Sequence, residues 1–280
     1  MINASFNNTG WQPAFLIRLS MALHLSALVL VIVEPGQWRW ALGGVIANHM
    51  VLTLAGLWPR CKWLGSNWTQ LPAAAAARNE MAMTIDDGPD PRVTPQVLDI
   101  LDRYSAKATF FCIADKAMQY PDLCREIVRR GHAVENHSQR HCHNFAFLGY
   151  SGFLRELQAA QGTLIAITGQ RPVFFRAPAG LRNPFLDPAL HRLGLQLASW
   201  SIRGFDTRFG DAERVKSRLL RGLRPGAIVL LHDGNAARTP AGIPVILEVL
   251  PAVLAAAATA KLNFVTLRQA SGAGKLRGTT

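Results

Sequence analysis

The chain has 280 residues, of which 49% are apolar and only 17% charged, and it carries a net charge of +12. That length accommodates one large domain, or a modest domain with an appendage. The basic residues are scattered and form no Lys/Arg block interleaved with aromatics, so the charge does not describe a nucleic-acid groove; a membrane surface or an anionic substrate accounts for it equally well.

The apolar excess sits at the start. Residues 14–33 read AFLIRLSMALHLSALVLVIV, about 20 residues interrupted only by Arg18 and His24, long enough to cross a hydrocarbon core of about 30 Å. Glu34-Pro35-Gly36 makes a turn, and a second run extends from Trp38 to Leu57 with Arg39 and His49 inside it. Trp38, Trp40 and Trp58 stand near the ends, where interfacial aromatics belong. No positive charge precedes Ala14 and no clear small-x-small cleavage site follows Val33, which argues against a signal peptide. Residues 1–60 are therefore expected to form a two-helix transmembrane hairpin, or one spanning helix with an interfacial partner. Arg60, Lys62 and Arg78 follow the second run and point the rest of the chain to the cytoplasmic side.

Residues 61–80, which include the Ala-rich stretch LPAAAAARNE, read as a linker, residues 81–270 as the main domain and residues 271–280 as a polar flexible tail. The GAGK in that tail lacks the spacing of a phosphate loop. Cys61, Cys112, Cys124 and Cys142 form no CxxC pair, so they are expected to be reduced, mostly buried thiols.

From Met81 short apolar runs alternate with amphipathic segments. The runs are residues 81–85, 108–113, 133–135, 173–175, 196–200, 227–231 and 263–266; the intervening helices are expected over 94–104, 121–130, 151–168, 184–193, 212–223 and 244–259. Gly131 and Gly194 mark helix ends, and Pro184 follows Asn183 at a helix start. About seven strands alternating with helices predict a parallel α/β fold, most economically a (β/α) barrel, with reactive groups just after the strands.

Polar residues do stand at those positions. Asp86-Asp87-Gly88-Pro89 follows the first strand: as turn chemistry it is ordinary, but adjacent carboxylates repel unless a cation separates their roles. His137 and His141 follow the third strand, and a His pair with a carboxylate makes a two-His, one-carboxylate site with open positions. Cys142 and His143 beside them are taken as non-ligands. Arg176-Ala177-Pro178-Ala179-Gly180 follows the fourth strand and could orient a free carboxylate base. His232 ends the apolar run before Asp233, at the position of a general acid.

In order, Thr84-Ile85-Asp86-Asp87-Gly88-Pro89, His137-Ser138-Gln139-Arg140-His141, Arg176-Ala177-Pro178-Ala179-Gly180 and Leu230-Leu231-His232 resemble the motifs of the polysaccharide deacetylases, the NodB-homology or carbohydrate esterase family 4. The resemblance implies a distorted (β/α) barrel of about seven parallel strands and a divalent metal, most commonly Zn2+, with Co2+ or Mn2+ as alternatives. It implies that Asp87, His137 and His141 hold the metal, Asp86 is the general base, His232 protonates the leaving amine, and Arg176 steadies Asp86 with Asp206 as the arginine's partner. A backbone N–H near Ala179 and the metal would stabilise the oxyanion. The activity so implied is metal-dependent N-deacetylation of an N-acetylated amino sugar, in a glycan or a lipid-linked sugar, at a bacterial inner membrane. A deformylase or other N-deacylase of a lipid-linked amino sugar is the alternative; an inactive membrane-tethered carbohydrate binder would require a damaged metal triad, and no nucleic-acid partner is expected. Two departures bear on substrate: Arg203 and Thr207 are unusual in the stretch 200–207, and Ala179 stands where an aromatic is frequent.

Overall fold

Every other strand of the sheet is placed relative to β1 (Glu80–Asp86), which runs through its middle and is buried along all but its first residue. A computed structural model describes residues 10–272. In chain order the elements are α1 (Phe15–Val33), α2 (Trp38–Leu57), α3 (Ala73–Ala76), β1, α4 (Thr94–Arg103), β2 (Ala108–Cys112), α5 (Ala114–Gln119), α6 (Pro121–Arg129), β3 (Ala133–Asn136), α7 (Tyr150–Thr168) and β4 (Phe174–Phe175). There follow α8 (Leu186–Leu193), β5 (Gln196–Leu197), β6 (Ile202–Arg203), α9 (Ala212–Leu220), β7 (Ile228–His232), α10 (Val245–Thr259), β8 (Asn263–Val265) and α11 (Leu267–Ala270).

All ladders between these strands are parallel, in the order β5-β4-β3-β2-β1-β7-β6, with β8 also paired to β1. One side of β1 is shared: β8 pairs with Glu80–Ala82 and β2 with Met83–Asp86. β2 and β7 are buried throughout, as expected for parallel strands covered on both faces. The helices supply the outer layer: α4 starts at Thr94-Pro95, where proline costs no helical hydrogen bond, and buries Val97, Leu98, Ile100 and Leu101. α7 and α8 end at Gly169 and Gly194, both left-handed (φ 69° and 66°), which glycine adopts freely.

The sheet curls without closing. Among the described residues no ladder joins β5 to β6, and residues 198–201 cross the opening instead: Ala198 N–H donates to Phe175 O, Ser199 N–H to Trp68 O and Ser201 N–H to Ile228 O. The expected parallel α/β architecture is thus present as a curled half-barrel. Four elements lie outside the periodicity of the sequence: the two-residue β6 and the short helices α3, α5 and α11.

The segments Phe15–Val33 and Pro35–Leu57, which hold α1 and α2, are long and apolar enough to cross a membrane, with mean hydropathy 2.3 and 1.4, and most of their large apolar side chains are exposed. Between them Ser20 and Asn48 are buried and joined, Asn48 Nδ2 donating to Ser20 Oγ at 2.9 Å, while Ala55 and Gly56 at the end of α2 are buried against Leu64 and Arg182. The helix pair is tied to the α/β domain at its base. Trp11 Nε1 donates to Asp187 Oδ2 at 2.8 Å, Arg182 N–H donates to Gly56 O, and the Arg182 guanidinium donates to Cys61 O. Residues 61–72 lie on the domain, with Cys61, Leu64 and Leu71 buried and Trp68 bridged to Ala198. The four cysteines are free thiols, three of them buried and Cys142 partly so. Of the tail over 271–280, residues 273–280 lie outside the described residues, as does the start of the 1–60 segment up to residue 9.

Candidate active site

Parallel pairing puts the C-terminal ends of the strands side by side. Asp86 is level with His232 on β7 and with Phe111 on β2, while Cys112 on β2 is level with Asn136, the residue before His137. A cavity of about 210 Å³ opens there, lined by Asp86, Asp87, His137, His141, Trp200 and His232 among others.

Asp86 and Asp87 are adjacent but do different things. Asp86 is the last residue of β1, and Thr84, two residues earlier, points to the same face. Arg176 reaches both: its Nη1 donates at 2.7 Å to Asp86 Oδ1 and at 2.7 Å to Thr84 Oγ1. Arg176 also donates from Nε to Ala198 O at 3.0 Å and from Nη2 to Ser199 O at 2.7 Å, and its guanidinium lies 4.2 Å from the Phe111 ring centre. It is 1% exposed, so burial pulls its pKa down against the charge of Asp86. The fork of donors is almost fully used, and it fixes one oxygen of Asp86 while leaving the other toward the cavity.

Asp87 turns away because its backbone is left-handed (φ 71°). Its Oδ1 lies 3.1 Å from His137 Nε2 and 3.2 Å from His141 Nε2. The loop that returns His141 to His137 is left-handed at Ser138 and at His141 itself, and is held by Ser138 N–H to Asn136 Oδ1 and His141 N–H to Ser138 Oγ. The His137 Nδ1–H donates to Arg176 O at 2.8 Å, so Nε2 faces the Asp87 carboxylate, where it either shares a proton with it or, in the neutral ring, offers a lone pair. Two acceptors at that distance repel unless a proton or a cation lies between them. Burial pushes the His141 ring down and the neighbouring His137 adds to this, so His141 tends to neutral and offers a second lone pair. Burial would raise the Asp87 carboxyl, but hydrogen bonding to His137 and the nearby rings outweigh it and hold the group well below the usual carboxylate range. The three ligand atoms lie within 4.8 Å of one another. Ligands at zinc-type bond lengths in a tetrahedron stand about 3.4 Å apart, close to the spacing found. The donor set fits a divalent metal.

His232 occupies the opposite wall. Its Nδ1–H donates to Asp206 Oδ1 at 3.0 Å and its backbone N–H to Asp206 Oδ2 at 2.7 Å, leaving Nε2 for the cavity. Burial alone would lower this imidazole; the Asp206 carboxylate, with Asp86 and Asp87 behind it, reverses the sign and raises it to about 9. Here the structure corrects one expectation. Asp206 is the partner of His232, and Arg176 finds its partners in Asp86, Thr84 and the 198–199 carbonyls instead.

Several contributors were not picked out from the sequence. Asn235 Nδ2 donates to Asp87 Oδ2 at 3.0 Å, and Lys116 Nζ on α5 donates to the Asp87 carbonyl at 2.8 Å. Gly234 makes the first contact possible, because a Cβ there would lie 1.9 Å from Asp87 O. The one available cue was that Asp233-Gly234-Asn235 follows His232 directly at a strand end. Asp233 is buried under the turn and receives the Thr94 hydroxyl; burial, with Asp87 nearby, raises it to about 7.

A curled parallel sheet with carboxylates, histidines and an arginine gathered at the C-terminal ends of its strands defines a hydrolase of the NodB-like class. Residues 73–198 match the family model described as polysaccharide deacetylase. The chain is 37% identical over 165 residues to a chitooligosaccharide deacetylase of Azorhizobium caulinodans, covering 58% of this chain and 78% of that protein. It is 28% identical over 214 residues to a peptidoglycan-N-acetylglucosamine deacetylase of Bacillus cereus, covering 74% and 75%. Among solved structures it resembles a family 4 acetyl xylan esterase from Clostridium thermocellum determined with a cobalt ion (TM-score 0.61, 27% identity, 70% of this chain and 92% of that one). The chain belongs to the polysaccharide deacetylase family.

Proposed function

We propose that the protein is a metal-dependent N-deacetylase of an N-acetylated amino sugar, attached to a membrane by α1 and α2. The observation that carries this is the convergence of Asp87, His137 and His141 beside a second carboxylate, Asp86, that takes no part in their contacts. When bound by those three side chains, a divalent cation, Zn2+ first by donor type and Co2+ or Mn2+ as alternatives, would acidify water and polarise the acetamide carbonyl.

The remaining work falls to the chain's own groups. Asp86, held by Arg176 through Oδ1, takes a proton from the attacking water on its other oxygen. His232, kept protonated at neutral pH by Asp206, gives a proton to the departing amine. Trp200 and the turn at Ala179 shape the wall against which the sugar lies. The relatives named above act on chitooligosaccharide and on peptidoglycan N-acetylglucosamine, which supports N-acetylglucosamine as the sugar.

The test is acetate release from N-acetylglucosamine oligomers by metal-loaded protein, beside chelated protein and His137→Ala. We expect release to stop on chelation and return with added metal. His137→Ala is expected to lower metal affinity by about tenfold or more, read by metal titration independently of turnover. Formate release from formylated sugars in place of acetate would turn the reading to a deformylase. Release that persists after verified metal removal would sink it.

The Asp206–His232 pair gives a pH prediction. The His232 pKa is raised above its ordinary 6.5 to about 9, so the pair stabilises the fold fully below pH 6.5 and loses that contribution as pH rises through about 9. The same protonation sets the alkaline limit of catalysis. Asp206→Asn removes the charge that opposes burial, so the alkaline limb of kcat/KM is expected to move to lower pH by about 1–3 units. An unmoved limb would show that His232 is not the acid.

A further inference from the structure

We propose that the wall formed by Arg203 and Thr207 is an anion subsite, and that the amino sugar processed here carries a phosphate group. The proposal rests on the deacetylase reading and names its substrate class.

Arg203 ends β6 and lines the same cavity as Asp86, His137 and His232. Its side chain makes no hydrogen bond and no ion pair with any described residue, and its Nε is shut off from solvent without a partner. A guanidinium in that condition is costly unless a ligand supplies the acceptor. The group is also held in place. Its centre lies 5.2 Å from the Trp200 ring and 4.9 Å from the Phe205 ring, so aromatic contacts orient the guanidinium while its donors remain unused. Thr207, four residues on, brings to the same cavity a hydroxyl with no hydrogen-bond partner among the described residues. Charge continues outward: Arg218 lies over Phe205 and Phe209, and Arg208 and Arg214 lie over Phe209. None of these three side chains is paired with a carboxylate among the described residues, whereas Arg78, Arg125, Arg129, Arg130 and Arg268 on other faces are.

Position says which half of the substrate bears the charge. Arg203 is in register with Leu230, two residues before His232 on the neighbouring strand. His232 faces the departing amine, so the anion belongs to the sugar and not to the acyl group. A tetrahedral phosphate suits a forked donor beside a hydroxyl. Two sources supply one: a soluble sugar phosphate, or a phosphate linking the sugar to a lipid. Pro59, two residues beyond α2, lies close against Gly180, and the Trp200 ring packs on the same glycine, so this wall adjoins the end of the apolar helix pair. That placement favours the lipid-linked source.

The test uses the full chain in detergent with three substrates: a neutral N-acetylglucosamine tetramer, N-acetylglucosamine 1-phosphate, and N-acetylglucosamine joined by phosphate to a short prenyl chain. For Arg203→Ala, kcat/KM on the phosphate-bearing substrates is expected to fall about tenfold or more beyond any fall on the tetramer, with Arg203→Lys intermediate. Preference for the prenyl substrate over the sugar phosphate assigns the lipid source; equal use assigns the phosphate alone, and either supports the subsite. Equal losses on charged and neutral substrates, or no loss on the charged ones, overturn it. If none of the three is hydrolysed the deacetylase reading fails, and inorganic phosphate then decides the subsite by itself. Calorimetric binding weakened about tenfold in Arg203→Ala supports the subsite, and equal or absent binding in both proteins overturns it.

Discussion

Asp86→Asn is expected to lower kcat by about 10²–10⁴-fold while leaving metal content as it is in the unaltered protein. The substitution keeps the shape of the side chain and an oxygen that can accept from Arg176 Nη1, now 2.7 Å away, and it removes only the ability to take a proton. The Asp86 side chain makes no hydrogen bond or ion pair with Asp87, His137 or His141, which meet at 3.1–3.2 Å through Asp87 Oδ1. Metal titration and turnover should therefore separate: titration unchanged, amine release slowed. Because a base acts in the step and not in binding, the loss should fall on kcat with KM little altered. A kcat within tenfold of the original would remove Asp86 from the role of base. Loss of metal together with activity would move it into the ligand set.

How far such a prediction could be reached from sequence depends on which interactions are local. Asp86, His137, Arg176 and His232 each sit at or just after the end of an apolar run, with Asp87 and His141 in the turns that follow, and parallel strands bring all such positions to one end. That geometry needs only strand direction, so the site was legible. Partner choice was not. The resemblance implied that Arg176 and Asp206 meet, but Asp206 is satisfied by both donors of His232, and Arg176 by a carboxylate, a threonine and two carbonyls. Asn235 over Asp87 depends on the missing Cβ of Gly234, which no periodicity records. In the fold the long helices were found within a few residues, since they repeat an apolar face. β6 has two residues and α5 six, too short for a period to show. Residues 61–72, polar and irregular as text, cover the opening of the sheet through single contacts such as Trp68 with Ala198. Their role follows from the sheet not closing, a property of strand number and curl.

Arg176→Met is expected to destabilise the fold by about 3–5 kcal/mol, the cost of leaving a buried charge without its partner. The side chain is 1% exposed, and its guanidinium satisfies Asp86 Oδ1, Thr84 Oγ1, Ala198 O and Ser199 O together. Methionine fills much of the same volume, so the loss is not mainly a cavity effect. It leaves Asp86 Oδ1 and the Ala198 and Ser199 carbonyls without the donors that Arg176 supplied. For a domain of this size that corresponds to a fall in Tm of about 6–20 °C, measured by thermal unfolding of the detergent-solubilised chain. Arg176→Lys separates charge from fork: an ammonium can pair with Asp86 but cannot also span from Thr84 to the 198–199 carbonyls that cross the open edge of the sheet. Part of the stability should return with lysine while kcat stays low, because Asp86 is then paired but no longer aimed. Asp86→Asn combined with Arg176→Met should lose less stability than the two single losses summed, since the charge stranded by the second change is removed by the first. Additive losses would mean that the arginine stabilises through its carbonyl contacts alone, and that its bond to Asp86 serves only to aim the base.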